Sequence, residues 1–384
     1  MNPLVIVGTG LAGYTLAREW RKIEKDQPLL LLTQDGGESY SKPMLSAACS
    51  KQKKPDDLVI SNAENMASAL GAEIRTHVTV HKIDPLEKSL VLHSTEKIYW
   101  SKLVLACGAD PIRLPLKGNA AHLVHSVNNL DDYRKFREKL FAGARIGILG
   151  GGLIGCEFAH DLADGGFDVG LHEAAPTLLS ALIPSEVSHY LLSALQNKNI
   201  RVYCGTSVVA IEREEDQASI RLISSNHVYH YDIVLSAVGL RPRLEPARSC
   251  GIETDRGILI DSWLRTSMPD IFALGDCAQS RGAMVLPYVL PLMNQARTLA
   301  KNLQQAETEL QYPVMPIVVK TPDFPWVIVP PPANRQGIWH WIKDEDGVEG
   351  TYLDQNNKVC AYILGGKSAS DNLIKARYMK MIQS

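Results

Sequence analysis

The sequence predicts an α/β protein that contains two β-α-β units and ends in a small α+β domain. Two stretches, "VIVGTGLAGYTLA" and "IGILGGGLIGCEFA", place a G-x-G-x-x-G spacing directly after an apolar run. From residue 312 onward, short apolar runs alternate with Pro, Gly and Asn turns before a helical stretch, "SASDNLIKARYMKMI". A chain of 384 residues is long enough for two or three such domains.

The first glycine-rich turn follows the apolar strand "LVIV" and precedes the helix "YTLAREWRKIEK", with "LLLLTQD" as the second strand. In a Rossmann-like unit of this kind, the first glycine permits the turn, the second lets the backbone approach a pyrophosphate, and the third packs the helix on the sheet. The N-terminus of the helix then offers unpaired N–H groups to the phosphates. The sequence therefore predicts a dinucleotide contact set of Gly8, Thr9, Gly10, Leu11, Ala12 and Gly13.

The end of the second strand predicts which groups face the ribose of this nucleotide. Thr33 and Gln34 occupy the strand end, and Asp35 follows them. A carboxylate about 20 residues into such a unit commonly accepts a hydrogen bond from a ribose hydroxyl. Here the acid lies beyond the strand end, so Thr33 and Gln34 are the predicted contacts and Asp35 is the alternative.

The second unit repeats the pattern, with the strand "RIGIL", the helix "CEFAHDLADGG" and the strand "FDVGLHE". Its predicted contacts are Gly150, Gly152 and Gly155, together with Glu173, which ends the second strand 23 positions after Gly150. That spacing suits a carboxylate that binds a ribose 2′-OH. The following "AAPTLL" contains no Arg or Lys that could balance a 2′-phosphate. The sequence therefore favours NADH over NADPH.

Composition and charge exclude several classes of protein. The chain is 45% hydrophobic and 21% charged with a formal net charge of -2, so we expect no nucleic-acid binding. It has no apolar run long enough to span a bilayer, and "LVIVG" is too short for a secretion signal, so we expect a cytoplasmic protein without membrane insertion. The seven cysteines form no C-x-x-C or C-x-x-x-x-C pair, and no H-E-x-x-H occurs. We therefore expect no metal site and no local redox disulfide.

Three further stretches, "KLVLACGADPIRLP", "VLSAVGLRPR" and "DIFALGDCAQ", resemble motifs of the two-dinucleotide FAD/NAD(P) pyridine nucleotide-disulfide reductase superfamily. With the two glycine-rich turns, the resemblance covers about Val5 to Leu303. It implies FAD at the first turn and NADH at the second, with the NAD domain inserted in the FAD domain. The implied boundaries are 1–113 for the first FAD segment, 114–241 for the NAD domain, 242–311 for the second FAD segment and 312–384 for the C-terminal domain.

The same resemblance implies further FAD contacts, which are Lys42, Val80, Glu157, Asp276, Val289 and Lys320. Asp276 would bind a ribityl hydroxyl, whereas Val80 and Val289 would contact the adenine and the isoalloxazine through their backbones. Glu157 would reach toward the flavin and the nicotinamide, and we expect Lys42 to be its ionic partner, because a carboxylate buried between two rings requires pairing.

The stretch "SYSKPMLSAACS" indicates the branch of the superfamily. It lacks the C-x-x-x-x-C of the disulfide reductases, and Cys49 stands alone in it. Ser41 occupies the region where coenzyme A-disulfide reductases and NADH oxidases have a cysteine, and a serine cannot form a sulfenic acid. The Tyr40-Ser41-Lys42-Pro43 stretch resembles instead the Tyr-x-Lys-Pro motif of rubredoxin and flavorubredoxin reductases.

That resemblance implies a flavoprotein that passes electrons from NADH through FAD to rubredoxin, a small acidic iron protein, and so to an alkane monooxygenase. Such a route needs no catalytic side chain, because the cofactor supplies the chemistry. Flavorubredoxin or ferredoxin as acceptor, an NADH oxidase and a non-catalytic flavoprotein remain alternatives. From Lys358 onward the positive charges outnumber the single Asp371. This excess suits either a dock for an acidic carrier or an ordinary solvated helix face.

Overall fold

The computed structural model describes residues 1–214, 219–332 and 335–383, so Ser384, the last residue of the predicted C-terminal domain, lies outside the described residues. Within them, the helices α1 to α9 are Leu11–Arg21, Ala63–Leu70, Leu130–Arg137, Leu153–Asp164, Ser185–Asn197, Glu245–Arg248, Val289–Asn302, Lys367–Ser370 and Asn372–Gln383. The strands β1 to β26 in the same residues are Leu4–Val7, Leu29–Leu32, Ser39–Tyr40, Val59–Ser61, Glu73–Arg75, Val80–Asp84, Ser89–Leu92, Lys97–Tyr99, Lys102–Leu105, Ala109–Pro111, Arg145–Leu149, Asp168–Glu173, Arg201–Cys204, Val208–Glu212, Ile220–Ser224, Val228–Tyr231, Ile233–Ser236, Leu240–Pro242, Ile258–Ile260, Ile271–Ala273, Ala278–Ser280, Ile317–Val319, Trp326–Val329, Gly337–Lys343, Gly347–Asp354 and Val359–Gly366.

The chain folds into two compact units, each made of three separate segments. The first unit comprises Met1–Lys42, Asp56–Asp110 and Leu240–Pro313. The second comprises Pro43–Pro55, Pro111–Gly239 and the chain from Val314 onward. The short segment Pro43–Pro55, which the sequence assigned to the first FAD segment, thus groups with the middle of the chain. The four domain boundaries inferred from the sequence stay a prediction.

The first unit is built on a parallel five-stranded sheet in the order β20-β9-β1-β2-β5. Its central strand, β1, pairs on one side with β2 and on the other with β9. Strands buried on both faces read as continuous apolar runs, as "LVIV" and "LLLL" do. The predicted β-α-β unit is therefore confirmed, although α1 begins at Leu11, because Gly10 is its N-cap. The second strand ends at Leu32, just before the predicted strand end at Thr33 and Gln34.

The second unit contains a parallel four-stranded sheet in the order β13-β12-β11-β17. Strand β11 has the predicted bounds, and α4 follows it as the crossover helix to β12. A small antiparallel sheet, β14-β15-β16, belongs to the same unit. The predicted second β-α-β arrangement is confirmed.

The chain after Val314 forms an antiparallel sheet in the order β22-β23-β26-β25-β24, followed by α8 and α9. The sequence predicts one helix over residues 368–382, and this is wrong, because the helix is interrupted at Asp371. The Asp371 backbone is not helical, with φ -78° and ψ 119°. Its carboxylate accepts the N–H groups of Leu373 and Ile374 at 2.7 and 3.2 Å, which caps the start of α9.

Candidate dinucleotide sites

The first glycine-rich loop, residues 8–13, is closely packed at its two ends and open in the middle. Gly8 has φ +116°, and a Cβ there would lie 2.2 Å from the carbonyl oxygen of Ala106. A Cβ on Gly13 would lie 1.9 Å from the carbonyl oxygen of Gly8, whereas one on Gly10 would meet no atom of the described residues within 4 Å. Gly8 and Gly13 are therefore needed for packing, and Gly10 leaves free space at the start of α1, where Leu11 and Ala12 form the first turn.

Several groups near the end of the second strand converge on one carboxylate beside the first loop. The Thr33 hydroxyl donates to Asp35 Oδ1 at 2.6 Å, and the N–H of Gly37 donates to the same oxygen at 3.0 Å. The Thr9 hydroxyl lies 3.5 Å from it, so Asp35 connects the strand end to the loop. Thr33 is buried and Gln34 is exposed. The structure therefore brings Thr9, Thr33 and Asp35 together, and the choice of ribose contact stays a prediction.

Asp276 lies in a one-turn 3-10 helix, Gly275–Cys277, directly after β20. Gln295 on α7 fixes this turn, because its Oε1 accepts the N–H of Gly275 at 2.7 Å. The Lys42 ammonium lies 3.5 Å from Asp276 Oδ2, which makes Asp276 the ionic partner of Lys42. Gln295 is buried and polar, and no local pattern in the sequence indicates its role.

Val80 and Val289, the two residues expected to act through their backbones, both begin secondary-structure elements. Val80 is the first residue of β6, and Val289 is the first residue of α7. The N-cap of α7 is Tyr288, which makes no side-chain capping hydrogen bond. Among the first four N–H groups of a helix, those without a capping partner remain available to a ligand. The flavin contact of Val289 stays a prediction.

The second glycine-rich loop, residues 150–155, repeats the arrangement of the first. Gly150 has φ +103°, and a Cβ there would lie 2.7 Å from the Ala237 carbonyl oxygen. A Cβ on Gly155 would lie 1.8 Å from the Gly150 oxygen, whereas Gly152 has no atom of the described residues within 4 Å of that position. The loop therefore combines two packed glycines with one open glycine at the start of α4.

Glu173 ends β12 beside the second loop. Its Oε2 accepts the N–H of Gly151 at 2.5 Å, and its Oε1 accepts the N–H of Ala175 at 2.7 Å. These bonds hold the carboxylate at the mouth of the loop, as a ribose contact requires. The spacing seen in the sequence and the position in the structure agree, and the contact with the ribose itself stays a prediction.

Glu157 lies in the second turn of α4 and is 1% exposed. Its Oε1 accepts the backbone N–H of Lys320 at 2.9 Å, and its Oε2 lies 3.1 Å from the Lys320 ammonium. Its Oε2 also accepts the Ser46 hydroxyl at 2.6 Å. The expected pairing of Glu157 with Lys42 is therefore wrong, because Lys320 follows β22 directly and supplies both a backbone and a side-chain donor.

Cys49 is buried beside α4 and is held by Asp161, whose Oδ2 accepts its N–H at 2.8 Å. Burial raises the pKa of the Cys49 thiol to about 11, although the nearby Arg137 guanidinium opposes this shift. The thiol is therefore protonated at neutral pH, and only a thiolate is nucleophilic. The position argues against thiol chemistry at Cys49.

Residues 1–214, 219–332 and 335–383 contain no helix that could cross a membrane and no metal cluster. In that part of the chain, each helix falls short of the length and apolar character that a bilayer span requires. The same residues contain no group of three or more His, Cys, Asp or Glu side chains placed to hold a metal ion.

The two parallel β-α-β units, each with an open glycine at the start of its helix and a carboxylate near the end of its second strand, define a two-dinucleotide α/β protein. Comparison with known families agrees. Residues 2–306 match the family described as "Pyridine nucleotide-disulphide oxidoreductase". Residues 309–376 match the family described as "Rubredoxin binding C-terminal domain". The chain belongs to the pyridine nucleotide-disulphide oxidoreductase family.

Individual relatives cover nearly the whole chain. A rubredoxin-NAD(+) reductase of Alcanivorax borkumensis is 43% identical over 97% of this chain and 97% of its own. A nitric oxide reductase FlRd-NAD(+) reductase of Aeromonas hydrophila is 33% identical over 96% of this chain and 94% of its own. The crystal structure of the covalent putidaredoxin reductase-putidaredoxin complex has a TM-score of 0.89 at 23% identity, covering 99% of this chain and 93% of that chain. This last likeness shows the fold alone.

Proposed function

We propose that this protein transfers electrons from NADH through FAD to rubredoxin. The observation that carries the proposal is the match of residues 309–376 to the rubredoxin-binding C-terminal domain. The 43% identity with a rubredoxin-NAD(+) reductase extends over 97% of the chain and supports the same acceptor. The relative named for flavorubredoxin is 33% identical, so flavorubredoxin is the second candidate and rubredoxin is favoured.

FAD fits the first loop. The open position at Gly10 admits a pyrophosphate, and the side chains of Thr33 and Asp35 meet beside Thr9 at the ribose end. Lys42, Val80, Glu157, Asp276, Val289 and Lys320 complete the proposed FAD contact set. Bound FAD supplies the chemistry that side chains lack, because it accepts two electrons together and releases them singly.

NADH is proposed to bind the second loop. The open position at Gly152 suits its pyrophosphate, and the Glu173 carboxylate suits the 2′-OH of its ribose. A 2′-phosphate would meet that negative charge directly, which favours NADH over NADPH. The protein's own residues then bind, orient and balance charge, and none has to act as a general acid, base or nucleophile.

The acceptor is proposed to dock on the C-terminal domain. Lys367 and Lys380 are exposed there, whereas Arg377 forms an ion pair with Glu349 at 2.5 Å. Exposed cations steer an acidic carrier and raise its association rate. The seven cysteines, all within the described residues, are free thiols, which suits the reducing cytoplasm that we propose as the compartment. An alkane monooxygenase is the proposed consumer of the electrons.

Rapid mixing tests the proposal. The purified protein is loaded with FAD and mixed with NADH without oxygen, and then with rubredoxin, ferredoxin or air-saturated buffer. We expect NADH to bleach the flavin band within milliseconds, rubredoxin to restore it rapidly, and oxygen to restore it slowly. Flavin reoxidation that rubredoxin does not accelerate would exclude the proposed acceptor.

A pair of charge-reversal variants tests the docking surface in the same experiment. Lys380→Glu changes an exposed lysine of α9, and Lys25→Glu changes an exposed lysine of the first unit by the same charge. We expect Lys380→Glu to lower the second-order rate with rubredoxin several-fold at low ionic strength, and Lys25→Glu to leave it near the wild-type value. Equal effects of the two substitutions would indicate net charge rather than a dock.

A further inference from the structure

Ser46 occupies a buried position between an anion and a cation, and it is not one of the predicted site residues. The residue is 4% exposed. Its hydroxyl lies 2.6 Å from Glu157 Oε2 and 3.4 Å from the Lys320 ammonium. Glu157 and Lys320 are themselves 3.1 Å apart, so the three groups form a closed cluster, here called the Ser-Glu-Lys cluster.

The direction of each hydrogen bond in the cluster follows from the number of protons available. A serine hydroxyl has one proton and a carboxylate has none, so Ser46 donates to Glu157. The 2.6 Å separation is typical of a hydroxyl that donates to an ionised carboxylate. The Lys320 ammonium has three protons, and it donates to the Pro43 carbonyl oxygen as well as to Glu157. Its third possible acceptor is the oxygen of Ser46.

The same helix carries a second serine-carboxylate contact, to which no lysine of the described part of the chain is bonded. The Ser50 hydroxyl donates to Asp161 Oδ1 at 2.5 Å, and Asp161 also accepts the N–H groups of Cys49 and Ser50. Glu157 and Asp161 are four residues apart on α4, as are Ser46 and Ser50 on the segment Pro43–Pro55. Both serines therefore fasten this segment to α4, and within the described residues only Ser46 also faces an ammonium group.

We propose that Ser46 is a positioning residue that determines how the Lys320 ammonium shares its hydrogen bonds between Glu157 and the Pro43 carbonyl oxygen. While the Ser46 hydroxyl donates to Oε2, this hydrogen bond stabilises part of the negative charge of Glu157, and the Lys320 ammonium remains available to other acceptors. Without it, Lys320 is the side-chain donor to that oxygen that remains among the described residues, and it is drawn fully into the ion pair. Ser46 thereby sets how strongly Lys320 stabilises negative charge on the flavin, an inference that rests on the proposed function of Lys320 as an FAD contact.

The test compares the flavin midpoint potential of wild-type protein with those of Ser46→Ala, Ser46→Thr and Ser46→Cys. We expect Ser46→Ala to shift the equilibrium between reduced and oxidised flavin about tenfold toward the oxidised form, which equals a fall of about 30 mV for two electrons. Ser46→Thr keeps the hydroxyl and should restore the potential. Ser46→Cys fills the same volume with a weak donor and should behave like alanine, whether or not the threonine variant folds.

Ser50→Ala is the matched control, because it removes an anchoring hydroxyl from the same segment without touching Lys320. Thermal unfolding of the FAD-loaded protein should report a similar loss of stability for Ser46→Ala and Ser50→Ala. Only Ser46→Ala should lower the potential. An unchanged potential in Ser46→Ala, or an equal fall in Ser50→Ala, would overturn the positioning role and leave an anchoring role for both serines.

Lys320→Met separates failure of this inference from failure of the proposed function. A changed potential in Lys320→Met together with an unchanged one in Ser46→Ala overturns only the role of Ser46. An unchanged potential in Lys320→Met removes Lys320 from the flavin contacts and overturns both. Wild-type protein that retains no flavin likewise overturns both, and a visible spectrum reports this before any variant is made.

Discussion

Replacing Glu173 with glutamine or alanine separates two properties of one carboxylate. Glu173 holds the second loop through the N–H groups of Gly151 and Ala175, and it places a negative charge at the proposed ribose site. A glutamine keeps one amide oxygen as an acceptor and loses the charge. An alanine loses both. The two variants therefore distinguish charge repulsion from hydrogen bonding as the source of the expected preference for NADH.

The size of each effect follows from elementary electrostatics. A 2′-phosphate carries close to two negative charges, and two unit charges about 4 Å apart repel by about 4 kcal/mol at an effective dielectric constant of 20. Even about 3 kcal/mol after screening by salt corresponds to roughly a hundredfold discrimination against NADPH. A hydrogen bond from the ribose hydroxyl to the carboxylate contributes about 1.5–3 kcal/mol, or roughly tenfold to a hundredfold in NADH affinity.

Steady-state assays with an artificial electron acceptor give kcat/KM for both nucleotides without involving the carrier protein. Glu173→Gln should raise kcat/KM for NADPH by up to about a hundredfold and lower that for NADH only a few-fold. Glu173→Ala should lower the NADH value at least tenfold. Glu186→Gln, at an exposed position in the first turn of α5, is the control and should change neither. An NADH/NADPH ratio that stays the same in Glu173→Gln would refute the ribose role of this residue.

Two further predictions concern the first loop and Cys49. Gly10→Ala should weaken FAD binding and leave the thermal midpoint of the FAD-free protein nearly unchanged, and normal FAD binding by this variant would count against the site. Gly13→Ala should destabilise the FAD-free protein by about 1–3 kcal/mol or more, because its Cβ would lie 1.9 Å from the Gly8 oxygen. Cys49→Ser should retain NADH turnover, and substantial loss of turnover would show that this thiol takes part in the reaction. In the wild-type protein, alkylation of Cys49 should accelerate as pH rises toward its pKa of about 11 rather than toward the ordinary value near 9.

The parts of the fold that the sequence predicted well depend on local patterns. Strand β11 has the bounds read from its apolar run, because a strand buried on both faces of a parallel sheet must be apolar throughout. The open positions at Gly10 and Gly152 follow from the glycine spacing in the same way. The break at Asp371 is also encoded locally, since aspartate is a favoured N-cap.

The ionic partners in the site could not be predicted from local pattern. The expected pair of Glu157 with Lys42 followed from the need of a buried carboxylate for a partner, which does not say which lysine is near. In the structure the cation is Lys320, 163 residues away along the chain, and Ser46 joins it across 111 residues. Which of two lysines faces a buried carboxylate is decided by where β22 ends and by which segment packs on α4. Neither is readable from the spacing of residues around Glu157.

The polar groups buried on α4 indicate that the second glycine-rich unit does more than bind a nucleotide. Helix α1 buries mainly apolar and small residues, whereas α4 buries Glu157, His160 and Asp161 within five positions. Burying an unpaired carboxylate or an unpaired polar ring nitrogen costs on the order of a few kcal/mol, so each of these groups must have partners. Glu157 and Asp161 bind the segment Pro43–Pro55, and His160 Nε2 lies 3.0 Å from Asp323 Oδ2, beyond β22. A helix needed only to present N–H groups to a phosphate would not require them. The second glycine-rich unit therefore also fixes the chain segments that carry Ser46 and Lys320, which ties the proposed nucleotide site to the groups proposed to contact the flavin.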